Sequence, residues 1–196
     1  MTNVWMTQDW TSGQLNALVK LVGGEETARA ILAGTVEFKL VEKVQTPEPP
    51  LDTIIRVDRS IRPVYPGWVK TVQHPDLEPL GPAEFDASRL ELWLHEGQSD
   101  NKYTKGHKIY EHLKEKKILE DCLGLRDLEE IQKKGLAFFR KFFKGKTVFG
   151  WKSVVLDRYG SLRVPYLCGS GDKVVLDWRW LGSGWGGNNP ALRFAS

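Results

Sequence analysis

Cysteine is scarce in this chain. There are two in 196 residues, Cys122 and Cys168, and neither belongs to the paired spacing of a zinc site. Free, buried thiols behaving as small hydrophobes are expected, with a disulfide between the two as the minor alternative. Histidine is nearly as sparse, with four. No apolar run approaches the roughly 18 residues that cross a bilayer, which excludes a spanning helix and argues against a membrane partner. Met1-Thr2-Asn3-Val4-Trp5 lacks the basic-then-apolar order of a secretory signal, so cytoplasmic residence is expected. Gly150-Trp151-Lys152-Ser153-Val154 lacks the second glycine of a nucleophile elbow. The glycine-rich stretch 182–189 lacks the Lys-Ser/Thr of a phosphate loop. No cofactor is called for.

What the chain does have is tryptophan and an uneven spread of charge. Four of eight tryptophans fall in the last fifty residues: Trp151, Trp178, Trp180 and Trp185. Rings that large either fill a small β core or line a stacking surface. Formal net charge is +3, yet Lys102 to Lys152 holds 14 Lys/Arg against 7 Asp/Glu. A local excess of that kind hints at an acidic partner.

The pattern predicts an α+β fold. An N-terminal helical hairpin and a helical layer pack on a C-terminal antiparallel β-sheet of four to five strands. Thr11-Ser12-Gly13-Gln14 has the form of a capping box, and Gly23-Gly24 separates two short apolar stripes. Val36, Phe38 and Leu40 then alternate like a strand, so residues 1–44 read as a semi-separate lobe. Residues 45–88 hold eight of the ten prolines and read as an ordered extended connector. Residues 89–196 form the main body. There Thr104 is the expected cap of one helix, and Asp127 to Lys144 reads as the longest helix, with phenylalanines on its buried face. Strands follow from Thr147, divided by turns at 157–160, 169–172 and 182–184; Pro165 within one of them argues for an edge position or a bulge.

Several segments together resemble a known group. They are Trp93-Leu94-His95-Glu96-Gly97-Gln98, Gly106-His107-x-x-Tyr110, Cys122-Leu123-Gly124-Leu125, Val164-Pro165-Tyr166-Leu167 and Trp178-x-Trp180-Leu181…Trp185…Asn189-Pro190-Ala191-Leu192. They are similar, over nearly the whole chain, to a family of uncharacterised bacterial proteins. The resemblance implies a bacterial protein and carries over no activity, ligand or site.

Candidate sites therefore rest on the residues themselves. Aromatic platforms beside cations are how single-stranded nucleic acid is commonly held, which singles out Trp185 and Trp151 with Arg140, Lys141, Lys144 and Arg158. The one candidate polar site is His95, His107 and Glu111; His107 and His112 are five apart, which is the wrong spacing for a helical metal pair, so no metal is expected. The leading expectation is a non-catalytic binding protein for a polyanion such as RNA or single-stranded DNA. An enzyme with a site near His95, His107 and Glu111 is the alternative, as is a protein–protein adaptor using exposed tryptophan.

Overall fold

The computed structural model describes residues 11–36, 51–100 and 102–195. The expected strand beyond Val36 and the proline-rich opening at 45–50 lie outside them. The chain divides between Pro49 and Pro50 into two compact units.

The first unit is the helical hairpin. Helix α1, Ser12–Leu21, is capped as its sequence requires: Thr11 Oγ1 accepts from the Gln14 amide, and Gln14 Oε1 accepts from the Thr11 amide at 2.8 Å. Helix α2, Glu25–Leu32, opens on two acids, which suits the positive end of its dipole, and Glu25 pairs with Arg29 one turn on.

The second unit is built on a mixed seven-stranded sheet. Its strands are β2 (Val69–Val72), β4 (Glu91–Trp93), β6 (Thr147–Phe149), β7 (Val155–Asp157), β8 (Leu162–Ser170), β9 (Lys173–Trp180) and β11 (Ala191–Arg193). The order is β2-β7-β8-β6-β11-β4, and among the described residues β9 pairs with β8 alone. Two small two-stranded sheets join β1 (Ile54–Arg56) to β3 (Glu84–Asp86), and β5 (Thr104–Lys105) to β10 (Gly184–Trp185). The expected antiparallel sheet of four to five strands is thus too small and of the wrong kind. Strand β11 runs parallel to β6, and β2 and β4 enter from the proline-rich half of the chain. The alternation at residues 90–94 and the apolar run at 53–57 do become β4 and β1, whereas β2 and β11 are too short to show a period and sequence alone misses them.

Strand β8 is the axis. It pairs with β9 from Arg163↔Trp180 to Ser170↔Lys173 around the two-residue turn Gly171-Asp172. On its other side β7 covers the start, and β6 covers Tyr166 to Cys168. Pro165 sits between the two, opposite the break from Phe149 to Val155, so its missing N–H is not needed. Its carbonyl accepts from the Gly150 amide at 3.0 Å. The proline is in a central strand, tolerated because its neighbour is interrupted there. On the far flank of β9, Gln132 donates to the Val174 carbonyl at 3.0 Å, and the Asp177 carboxylate accepts from the Trp178 amide at 2.8 Å.

Helices cover both faces. The expected single helix from Asp127 to Lys144 is two, α4 (Leu125–Lys133) and α5 (Gly135–Phe143), because Gly135 takes a left-handed φ of 81° that breaks the backbone run. Leu128, Ile131, Phe138, Phe139 and Phe143 pack with Val148, Leu167, Val174 and Leu192 on one face. Helix α3 (Gly106–Glu115), preceded by Lys105 rather than Thr104, sets Ile109, Tyr110 and Leu113 against Phe149, Trp151, Val154, Val164 and Trp185 on the other. The phenylalanine and tryptophan faces therefore belong to different layers.

Buried polar ties hold the proline-rich segment to this body. Arg59 pairs with Asp127 at 2.6 Å, with the carboxylate 1% exposed, and also donates to the Pro82 carbonyl. The other Asp127 oxygen accepts from the Gly124 amide at 2.8 Å. Lys152, wholly buried, donates to the Leu80 carbonyl at 2.9 Å, and burial holds its ammonium below the usual lysine range. The Tyr65 hydroxyl donates to Glu78, whose carboxyl burial pushes up, and burial likewise pushes up the Tyr65 phenol. Removing one member of a buried pair strands the other charge, so Asp127→Ala is expected to lose about 3–5 kcal/mol of unfolding free energy. Urea unfolding followed by far-UV circular dichroism checks this, and a loss under about 1 kcal/mol contradicts it.

Candidate functional site

The C-terminal glycine-rich loop is anchored by Trp185. Its indole enters the α3 layer, with the ring centre 4.2 Å from Phe149 and 5.2 Å from Trp151. A side chain on Gly106 would collide with it at 2.6 Å, and the Arg179 guanidinium lies 5.0 Å over its ring. Trp151 and Trp185 are both fully buried, so neither is a stacking platform. Volumes of that size fill the space between α3 and the sheet instead.

Past Trp185 the loop is shaped by side-chain amides. Gln98, itself buried, donates from Nε2 to the Gly186 carbonyl at 3.1 Å and the Asn189 carbonyl at 3.0 Å. Lys146 donates to the Gly187 carbonyl at 3.0 Å and to Asn188 Oδ1 at 3.3 Å. Tyr103 lies across Gly186 so closely that a Cβ there would fall 2.8 Å from its ring, yet the residue is 78% exposed. Together these groups frame a cleft of about 550 Å³, walled by Leu94, Gln98, Lys102, Tyr103, Lys146 and Asn188. Asp100 is the one acid in its lining.

Lys146 also walls a second cleft of about 280 Å³, with Arg140, Lys144, Phe139, Thr147 and Cys168. Arg140 is steadied by the Gly171 carbonyl at 3.1 Å. Lys141 lines neither cleft and lies 5.7 Å over the Phe142 ring. Arg158 belongs elsewhere. It stands with Trp68, Tyr159, Arg163, Asp177 and Trp178 around a cleft of about 320 Å³. Trp68 and Trp178 meet edge-on at 5.4 Å, and Arg163 stacks 5.6 Å over Trp68 while pairing with Asp157 at 2.8 Å. That bond holds the Asp157 carboxyl below the usual range. Arg140 contacts the turn of the β8–β9 hairpin, whereas Arg163 pairs at its open end. Seven residue steps of strand put the two ends about 23 Å apart. The cations expected to form one track therefore divide between two places.

The histidines also regroup. His95 precedes a 3₁₀ turn at Glu96–Gln98, and its Nδ1 accepts from the Gly97 amide at 2.9 Å. The imidazole it meets is that of His112, at 4.9 Å between ring centres, which rests in turn 5.7 Å from Trp93. His107 is half-buried at the start of α3, where its amide donates to the Leu181 carbonyl, and Glu111 is exposed. Cys122 is buried beside Ile118, and burial pushes its thiol up to about 12, far from a reactive thiolate. Among the described residues no group of three His, Cys, Asp or Glu is placed to hold a metal ion. No helix among them is long and apolar enough to cross a membrane.

Comparison with protein families, curated proteins and solved structures finds no match to this chain.

Sequence reasoning missed Lys102, Tyr103 and Gln98 as residues of this cleft. The signal for Gln98 was present, since a capping residue followed three places on by glutamine marks a turn closed from both sides. No local pattern announces that this turn meets residues 186–189. Trp151→Phe and Trp185→Phe are each expected to remove blue-shifted emission that acrylamide does not quench. Trp180→Phe, at a residue 48% exposed, removes quenchable emission. The reverse assignment would place the buried tryptophans at the surface.

Proposed function

We propose that this protein is a non-catalytic, cytoplasmic binding protein for a polyanion, and that single-stranded RNA or DNA is the form it holds. The observation that carries this reading is that Lys146 is a wall of two adjacent clefts. It joins Arg140 and Lys144 on one side to Lys102 and Tyr103 on the other. Four cations in sequence suit successive phosphates, and an exposed tyrosine ring offers a base its face. Stacking of that kind accepts any base, so the expected specificity is for strand rather than sequence.

A protein partner is the second reading. It is favoured by the half-exposed Trp68 and Trp178 beside Trp180, at the other end of the hairpin. An exposed aromatic surface with mixed charge is more typical of a protein contact than of a phosphate track.

Fluorescence anisotropy with a labelled single-stranded oligonucleotide tests the first reading. Four neutralised phosphates give a logarithmic salt slope near −3, so a fourfold rise in salt is expected to weaken binding by roughly fifty-fold. Lys144→Ala and Lys102→Ala should each flatten the slope by about 0.7. Tyr103→Ala should cost about 1–3 kcal/mol of binding. Affinity indifferent to salt and to these variants sinks the proposal.

A further inference from the structure

We propose that His95 is a positioning residue for the larger cleft, and that protonating it releases the wall against which the polyanion lies. This rests on the reading of the cleft given above. The geometry is a relay of three contacts. His95 Nδ1 accepts from the Gly97 amide at 2.9 Å, so the neutral ring carries its proton on Nε2. The turn is closed from the other end as well, with the His95 amide donating to Gln98 Oε1 at 3.0 Å. Gln98 then spends both Nε2 protons on the Gly186 and Asn189 carbonyls, and the loop between those residues holds the Lys146 ammonium through Gly187 and Asn188. One ring orientation thus sets the turn, the turn sets the loop, and the loop sets the cation shared by both clefts.

A proton on Nδ1 turns the acceptor into a donor that faces the Gly97 N–H. The cap is lost, and the ring must rotate or the turn must open. The charged and titratable groups about the ring are Glu96 on its own turn and His112 and Lys108 on α3, with the Trp93 ring of β4 beside them. Burial disfavours the imidazolium most, His112 and Lys108 add to that, and Glu96 opposes it. The net effect holds His95 below the usual histidine value, so the cap is intact at neutral pH and fails on acidification. In linkage terms a folded-state pKa below the unfolded one gives stability that is present above about 6.5 and lost as pH falls toward the folded value.

The sign of the effect separates this device from simple electrostatics. A histidine that gains charge beside a polyanion site tightens binding on acidification. Loss of the cap weakens it, by about fivefold for a capping bond of ordinary strength. The experiment is a pH titration of the ¹⁵N-labelled full chain, read at the Gly97 amide and the 186–189 amides, together with oligonucleotide affinity over the same range. The expected result is that these amides shift with the His95 ring and that affinity falls as they do. His95→Asn keeps a side-chain acceptor at the cap without a titrating group, so its Gly97 amide and its affinity should be flat across that range. The amide measurement stands even if no oligonucleotide binds, which would defeat the functional reading alone. Gly97 and loop amides that ignore the His95 titration overturn the proposal. So does affinity that rises on acidification in wild type, or a His95→Asn protein that keeps the wild-type pH dependence.

Discussion

The carboxylate of Asp127 stands where separate parts of the body meet. One oxygen takes the Arg59 guanidinium and the other takes the Gly124 amide at the head of α4. Through Arg59 it also reaches the carbonyl of Pro82. An extended segment rich in proline has few backbone donors with which to join a sheet. The short pairings of β1 with β3 and of β2 with β7 are its backbone share, and the side chains of Arg59, Tyr65, Glu78 and Lys152 add ties at depth. With that segment in place, β2 pairs along β7, and Tyr65 and Trp68 lie against Trp178. The sheet's second edge and its aromatic cleft both follow from a handful of buried charges.

How far the sequence disclosed this varies with the distance over which each feature is decided. The Thr11–Gln14 cap is legible because its partners are three residues apart. The turn at Asp157 is legible for the same reason, since its carboxylate accepts from the Tyr159 and Ser161 amides. The break at Gly135 hides inside an otherwise continuous apolar stripe. The parallel contact of β11 with β6 joins residues more than forty apart and leaves no local trace. The burial of Trp151 and Trp185 was undecidable for a specific reason. Trp151 opens the 3₁₀ turn Trp151–Ser153 and Trp185 ends the two-residue strand β10, so neither sits in a run long enough for alternation to mark a face.

The charge excess between Lys102 and Lys152 shows how a linear count dissolves in three dimensions. Arg126 is taken by Glu129 and Glu130, Lys133 by Glu130, Lys134 by Asp52, and Lys152 by the interior. Of those that line clefts, Arg140, Lys144 and Lys146 are neighbours in sequence, and distant Lys102 joins them because β6 leads out of α5 toward the glycine-rich loop. The histidines follow the same rule. His95 and His107, prominent as sequence features, matter less as a pair than His95 and His112, which only the packing of α3 beside β4 unites.

Among the described residues strand β9 pairs with β8 alone, and its other flank runs for eight residues carrying valine, leucine and tryptophan. A bare edge of that length is a template on which a second chain can add itself, and then a third. Here the Val174 carbonyl is already occupied by Gln132, and the Trp178 amide by the carboxylate of Asp177. An incoming strand meets a filled acceptor, a filled donor and a negative charge in place of a ladder. Two side chains thus take up part of the edge that an added strand would need.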